Sequence, residues 1–192
     1  MITFNLIEKF RGKRGIIVFS DPAGAKACLA IAKNLNSNDV IVISDREYDF
    51  YIDFGVNVIS SLNKNINEFI VSYKPDFIFI DRQRHFGLSA IKSKIPLIVH
   101  LRGDFWKEMK KAEETSYKSF PKRMALKKWY EMGDECFKNS QIILPICKHL
   151  EKRTLEYYPD QNTEVLYQGI NPKNWYKEKG MKLNHPCIGL IR

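Results

Sequence analysis

Short runs of β-branched and aromatic residues alternate along this chain with longer amphipathic stretches, a pattern that restricts the fold to parallel strands joined by crossover helices. Gly15-Ile16-Ile17-Val18-Phe19-Ser20 is apolar almost throughout, as a strand covered on both faces must be. Asp21 then offers an N-cap, and Pro22 fits the first helical position, where its missing N–H costs nothing. Ala25, Cys28, Leu29, Ala32 and Leu35 follow at helical spacing, and Asn36 to Asn38 end the helix. Further strands are expected at Val40 to Ser44, Val56 to Ile59, Phe77 to Asp81, Leu97 to His100, Gln141 to Leu144 and Glu164 to Tyr167. The expected fold class is α/β, a parallel sheet of about seven strands with helices on both faces.

The 192 residues suit one ordinary domain or a domain plus a fragment. A hydrophobic content of 44% excludes a disordered chain. Lys177-Glu178-Lys179-Gly180-Met181-Lys182 reads as a linker, and His185 to Arg192 resembles the opening strand of another domain. The expected organisation is therefore a domain over 1–175, a linker over 176–185, and the first strand of a truncated second domain over 186–192. No apolar run reaches the roughly 18 residues of a spanning helix, and charged residues interrupt the start, so neither a membrane span nor a signal peptide is expected. Cys28, Cys136, Cys147 and Cys187 are widely spaced, which suggests neither a disulfide framework nor a zinc site and makes a reducing cytoplasm the default.

Ligands of open parallel sheets bind beyond the carboxyl ends of the strands. There the sequence places Ser20, Asp21 and Gly24, then Ser44, Asp45 and Arg46, then Asp81, Arg82, Arg84 and His85, then His100, Arg102, Gly103 and Asp104. Each is either a polar residue meeting solvent or a ligand contact. Ser20 to Lys26 is neither a dinucleotide fingerprint nor a phosphate-binding Walker loop. Gly24 and Ala25 fit either close helix packing or a phosphate at the helix start. Four scattered His residues make no case for a catalytic metal, and no cofactor is expected. His100 and Arg102 share one strand face. They either point into a cleft as catalytic groups or form a buried His and an Arg paired with Asp104 or Asp81.

The net charge of +9 favours an anionic partner. From Phe105 to Tyr130, Lys107, Lys110, Lys111, Lys118, Lys122, Arg123, Lys127 and Lys128 outnumber Glu108, Glu113 and Glu114 and interleave with Phe105, Trp106, Tyr117 and Phe120. Three fates fit such a run: a solvated helix face, an anionic membrane surface, or single-stranded nucleic acid, the last the least favoured. Contact with a membrane or other anion is assigned to Lys107, Lys110, Lys111, Lys118, Lys122 and Arg123, which would make the protein peripheral on an inner membrane face.

Gln141 to Leu150, Tyr158-Pro159, Val165-Leu166-Tyr167-Gln168-Gly169-Ile170-Asn171-Pro172 and Trp175 together resemble the end of the N-terminal domain of family-four GT-B glycosyltransferases, with Cys147 for the usual Ser and Asn171 for the usual Asp. Pro96 to Asp104 is similar to that family's strand ending in a His-Gly turn near the sugar, with Arg102 where His is common. The resemblance implies a Rossmann-like, acceptor-side domain of a retaining enzyme. Such an enzyme moves a sugar from a nucleotide sugar, held mainly by a second domain, to an acceptor that is lipid-linked in some cases. Taken with the positions at the strand ends, catalytic roles are expected for His100 and Arg102 and substrate contacts for Ser20, Asp21, Gly24, Arg82, Arg84, Gly103, Asp104 and Gly169. This chain alone would then be inactive. The alternative is a non-catalytic module for an anionic surface or nucleic acid.

Overall fold

The structure, a computed structural model, describes residues 9–19, 28, 30–32, 35, 40–44, 58–60, 66–83 and 85–167. Six strands form one parallel sheet: β1 (Gly15–Phe19), β2 (Val40–Ser44), β3 (Val58–Ser60), β4 (Phe77–Asp81), β5 (Leu97–Leu101) and β6 (Ile142–Pro145). Their order is β3-β2-β1-β4-β5-β6, so the chain works outward from β1 in one direction and then in the other. That reversal opens a crevice at the carboxyl ends between β1 and β4, where ligands of such sheets collect. Helices α1 (Ile66–Tyr73), α2 (His85–Lys92), α3 (Phe105–Thr115), α4 (Phe120–Asn139) and α5 (Lys148–Tyr157) supply the crossovers after β3.

The strands alternate their side chains between two apolar layers, and both layers are dry because β1, β4, β5 and β6 are buried along their whole length. One layer joins Ile16, Val18, Ile78, Ile80, Val99 and Ile143 to helix residues such as Ile70, Ala90, Phe105 and Phe137. The other joins Ile17, Phe19, Phe77, Phe79, Ile98 and Leu144 to Phe10 and the helical residues Cys28, Ile31, Ala32 and Leu35. The α/β class with a parallel sheet and helices on both faces is therefore observed. Close backbone approach shapes it locally. A Cβ on Gly87 of α2 would lie 2.6 Å from Cys136 Sγ of α4, so the glycine lets these helices touch.

The strand count of about seven is corrected to six among the described residues. The expected seventh, Glu164 to Tyr167, lies beside β6 with a single parallel bridge, Ile143 to Thr163. Three backbone hydrogen bonds hold it: Ile143 N–H to Asn162, Glu164 N–H to Ile143, and Leu166 N–H to Pro145. Pro145 has no N–H to return a bond, so the ladder stops there. The sequence of α4 also predicts a broad apolar stripe of Ala125, Trp129, Met132 and Cys136 beside Leu126, Tyr130 and Phe137, but the buried face is narrower. Leu126, Gly133, Cys136 and Phe137 are buried, whereas Ala125 is exposed because residues 120–125 extend beyond the core. The helix start at Asp21, the linker over 176–185 and the strand over 186–192 lie outside the described residues.

Candidate functional site

β4 and β5 end side by side, with Asp81 in register with His100. Both side chains face the layer built on Phe79, whose ring lies 5.8 Å from that of His100. Asp81 is almost completely buried, and burying a carboxylate is costly unless charged donors surround it. Three donors do so. His100 Nδ1 lies 3.0 Å from Oδ1, Arg102 Nε lies 2.7 Å from Oδ1, and Arg102 Nη2 lies 2.7 Å from Oδ2. Burial, the largest single influence, pushes the Asp81 pKa up, but the hydrogen bonds and charges of His100 and Arg102 together outweigh it and hold the carboxyl below its ordinary value.

An ionised carboxylate can only accept, so Nδ1 of His100 carries the proton and donates to Asp81. His100 Nε2 is buried with no partner among the described residues. Asp81 thus fixes both the orientation of the imidazole ring and the plane of the guanidinium.

Around this centre the chain turns sharply. Arg82 has a positive φ of 67°, and its backbone N–H donates to His100 O at 2.9 Å, closing the end of β4 on β5. Its guanidinium pairs with Glu108 of α3. Gly103 lies against that pair, and a Cβ there would collide with the Glu108 carboxylate. Asp104 caps α3 by accepting from Lys107 N–H at 3.0 Å, and its second oxygen faces Arg153 Nε of α5 at 3.4 Å. Gln83 is buried, its Oε1 without a partner among the described residues.

Of the residues singled out from sequence, the structure brings His100, Arg102, Arg82, Gly103 and Asp104 to one edge of the sheet. The expectation that His100 and Arg102 both point into an open cleft is corrected. His100 is fully buried and the Arg102 side chain is 13% exposed, because both turn back onto Asp81. Arg82, Gly103 and Asp104 are also partly exposed at this edge. Ser20, Asp21, Gly24, Asp45, Arg46, Arg84 and Gly169 lie outside the described residues. The alternative reading, a buried His100 with Arg102 paired to Asp81, is the one observed, and the site residues that sequence reasoning missed are Glu108 and Arg153. An acid closing the apolar run Phe77-Ile78-Phe79-Ile80 marked Asp81 in the sequence, whereas Glu108 and Arg153 look like ordinary helix-surface charges.

Lys107, Lys110, Lys111, Lys118, Lys122 and Arg123 are all exposed on α3, α4 and the turn between them. They belong to a second region, on the sheet face opposite the Asp81 cluster. Among the described residues no group of His, Cys, Asp and Glu side chains is placed to hold a metal ion. No helix among them is long and apolar enough to cross a membrane. No known protein family matches the chain, and no curated protein matches it either.

Proposed function

We propose that the chain is the acceptor-side, Rossmann-like domain of a retaining glycosyltransferase of the GT-B type, which uses a nucleotide sugar held mainly by a second domain. The observation that carries this reading is the placement of the segment from Gln141 to Tyr167. The residues behind the sequence resemblance form β6, the α5 start at Cys147 and Lys148, and the chain returning along β6. They occupy one edge of a sheet whose strand order suits ligand binding at its carboxyl ends. Glycosyl transfer develops positive charge on the sugar and negative charge on the departing phosphate, and fixed dipoles and charges at such an edge favour both. Arg82 is a partly exposed cation available for direct contact there. Asp81, His100 and Arg102 act from behind it by keeping the β4 and β5 ends rigid.

The test is transfer of labelled sugar from a panel of nucleotide sugars by the polypeptide of the complete reading frame, compared with residues 1–192. Transfer with retained anomeric configuration by the former and none by the latter is expected. The competing reading is a non-catalytic module for anionic partners, which the exposed cations of α3 and α4 favour. A complete polypeptide inert toward every donor, alongside tight anion binding by residues 1–192, would replace the first reading with the second.

A further inference from the structure

We infer that the groove between α3 and α4 docks the protein on an anionic lipid surface, with an acyl chain seated between the helices and acidic headgroups against the basic rim. The groove has a volume of about 650 Å³, well within the ~300–1,000 Å³ of sites that hold small apolar ligands. Its apolar lining comes from Trp106 and Met109 of α3, Leu126 and Tyr130 of α4, and Tyr157 at the end of α5. Lys110, Arg123 and Lys127 stand at its edge against Glu113.

Two observations separate this groove from an ordinary solvated helix face. The first is apolar exposure where the core no longer reaches: Phe120 is 77% exposed and Met124 is 42% exposed, both lining the groove. A solvated face has no need of a large aromatic at that position, and clustered exposed apolar groups mark interaction surfaces. The second is charge. Residues 105–130 carry eight cations and three anions. Among the described residues, Lys107, Lys110, Lys111, Lys118, Lys122 and Arg123 make no ion pair. An apolar groove rimmed by Lys110 and Arg123, unpaired among the described residues, with Lys127 paired only at the surface to Glu131, matches the acyl and headgroup layers of an acidic bilayer, and either feature alone gives weak attachment.

Other occupants fit less well. A nucleic acid stacks its bases on a platform of flat rings, whereas this lining mixes Met109, Met124 and Leu126 with the aromatics. A second copy of the chain would bring like charges together, at a net +9 each.

The inference does not depend on the transferase reading, and its test involves no sugar transfer. Trp129→Phe and Trp175→Phe leave Trp106, the groove tryptophan, as the only fluorophore of its kind. This protein is mixed with vesicles of phosphatidylcholine, with or without phosphatidylglycerol, carrying bromine on the acyl chains. Trp106 should be quenched on acidic vesicles, with affinity at least tenfold weaker on neutral ones and falling as salt screens the attraction. Phe120→Ser with Met124→Gln should abolish quenching while leaving circular dichroism unchanged, and Lys110→Glu with Arg123→Glu and Lys127→Glu should abolish binding.

The inference is overturned by any of four results: no association with acidic vesicles, equal association with neutral ones, association that leaves Trp106 unquenched, or displacement of the protein from acidic vesicles by single-stranded RNA. A concentration-dependent dimer that shields Trp106 from quenching would equally overturn it and assign the groove to self-association.

Discussion

Arg102 and Asp81, 21 residues apart in sequence, meet in a two-point ion pair with both contacts at 2.7 Å. Planar guanidinium and carboxylate match in this geometry, so the pair ties the end of β5 to the end of β4 more rigidly than one hydrogen bond could. It also explains how a carboxylate survives in an apolar layer: His100 satisfies the same oxygen that Arg102 Nε reaches.

Breaking this pair from one side should be costly. Arg102→Ala leaves Asp81 buried with His100 as its remaining side-chain donor among the described residues, and an uncompensated buried charge typically costs about 3–5 kcal/mol. Replacing both partners by apolar residues, Asp81→Leu with Arg102→Met, removes the desolvation cost as well and should lose much less. Urea melts of the two variants check this. A loss below about 1 kcal/mol for Arg102→Ala would show that the pair is not formed in solution.

Asp81 should also shape the acid side of the stability curve. Its folded pKa is held below the ordinary value, so below the unfolded pKa of about 3.9 the unfolded chain binds the proton more readily. The stabilisation is complete above that value and is lost as pH falls from it toward the lower folded pKa. Asp81→Asn should flatten this part of the slope and leave the region above about pH 5 parallel to wild type. Denaturant melts at half-unit steps from pH 5 to 2.5 measure it, and identical slopes in the two proteins would contradict the assignment.

The strands were legible in the sequence because burial on both faces leaves continuous apolar runs such as Gly15 to Phe19 and Phe77 to Ile80, which few other contexts produce. The segment at Glu164 was not distinguishable from a strand, since its failure to complete a ladder depends on Pro145 standing opposite it. Helix ends were harder. α1 and α2 are followed by Lys74 and Lys94 at positive φ of 50° and 56°, where a glycine would normally announce the stop. At the site, the sequence placed His100 and Arg102 on one strand face, but their direction was decided by Asp81 on the neighbouring strand. Register between strands, Asp81 beside His100, is a tertiary fact that periodicity does not carry.

Gly133 sits in the interior of α4, where alanine would ordinarily add about 1 kcal/mol of helix stability. Here the sign should reverse. A Cβ at Gly133 would lie 2.5 Å from Phe105 Cζ and 3.1 Å from Gln83 Cγ. Phe105 is fully buried and stacked on Tyr130 at 5.7 Å, so the ring cannot withdraw freely. Overpacking of this kind costs about 1–3 kcal/mol, enough to cancel or exceed the propensity gain. Gly133→Ala is expected to lower the melting temperature, and Phe105→Leu in the same protein should recover part of the loss. A melting temperature raised by Gly133→Ala alone would show that α4 packs less closely on α3.

Arg82 allows stability and ligand contact to be separated, because its side chain and backbone make different demands. Its left-handed φ of 67° costs a non-glycine residue roughly 1–2 kcal/mol, so Arg82→Gly relieves that strain. The same change gives the unfolded chain more freedom, which costs about 0.5–1 kcal/mol. The lost pair with Glu108 is partly exposed on both sides and is worth at most about 1 kcal/mol. These effects nearly cancel, so the variant should melt close to wild type. Under the transferase reading, the same variant loses a partly exposed cation at the carboxyl edge and should raise KM for the anionic substrate at least tenfold. Arg82→Lys, which keeps the charge but not the planar fork, should fall between the two. An Arg82→Gly protein that melts normally and transfers sugar with an unchanged KM would remove Arg82 from the substrate site and leave its side chain as a tether to Glu108.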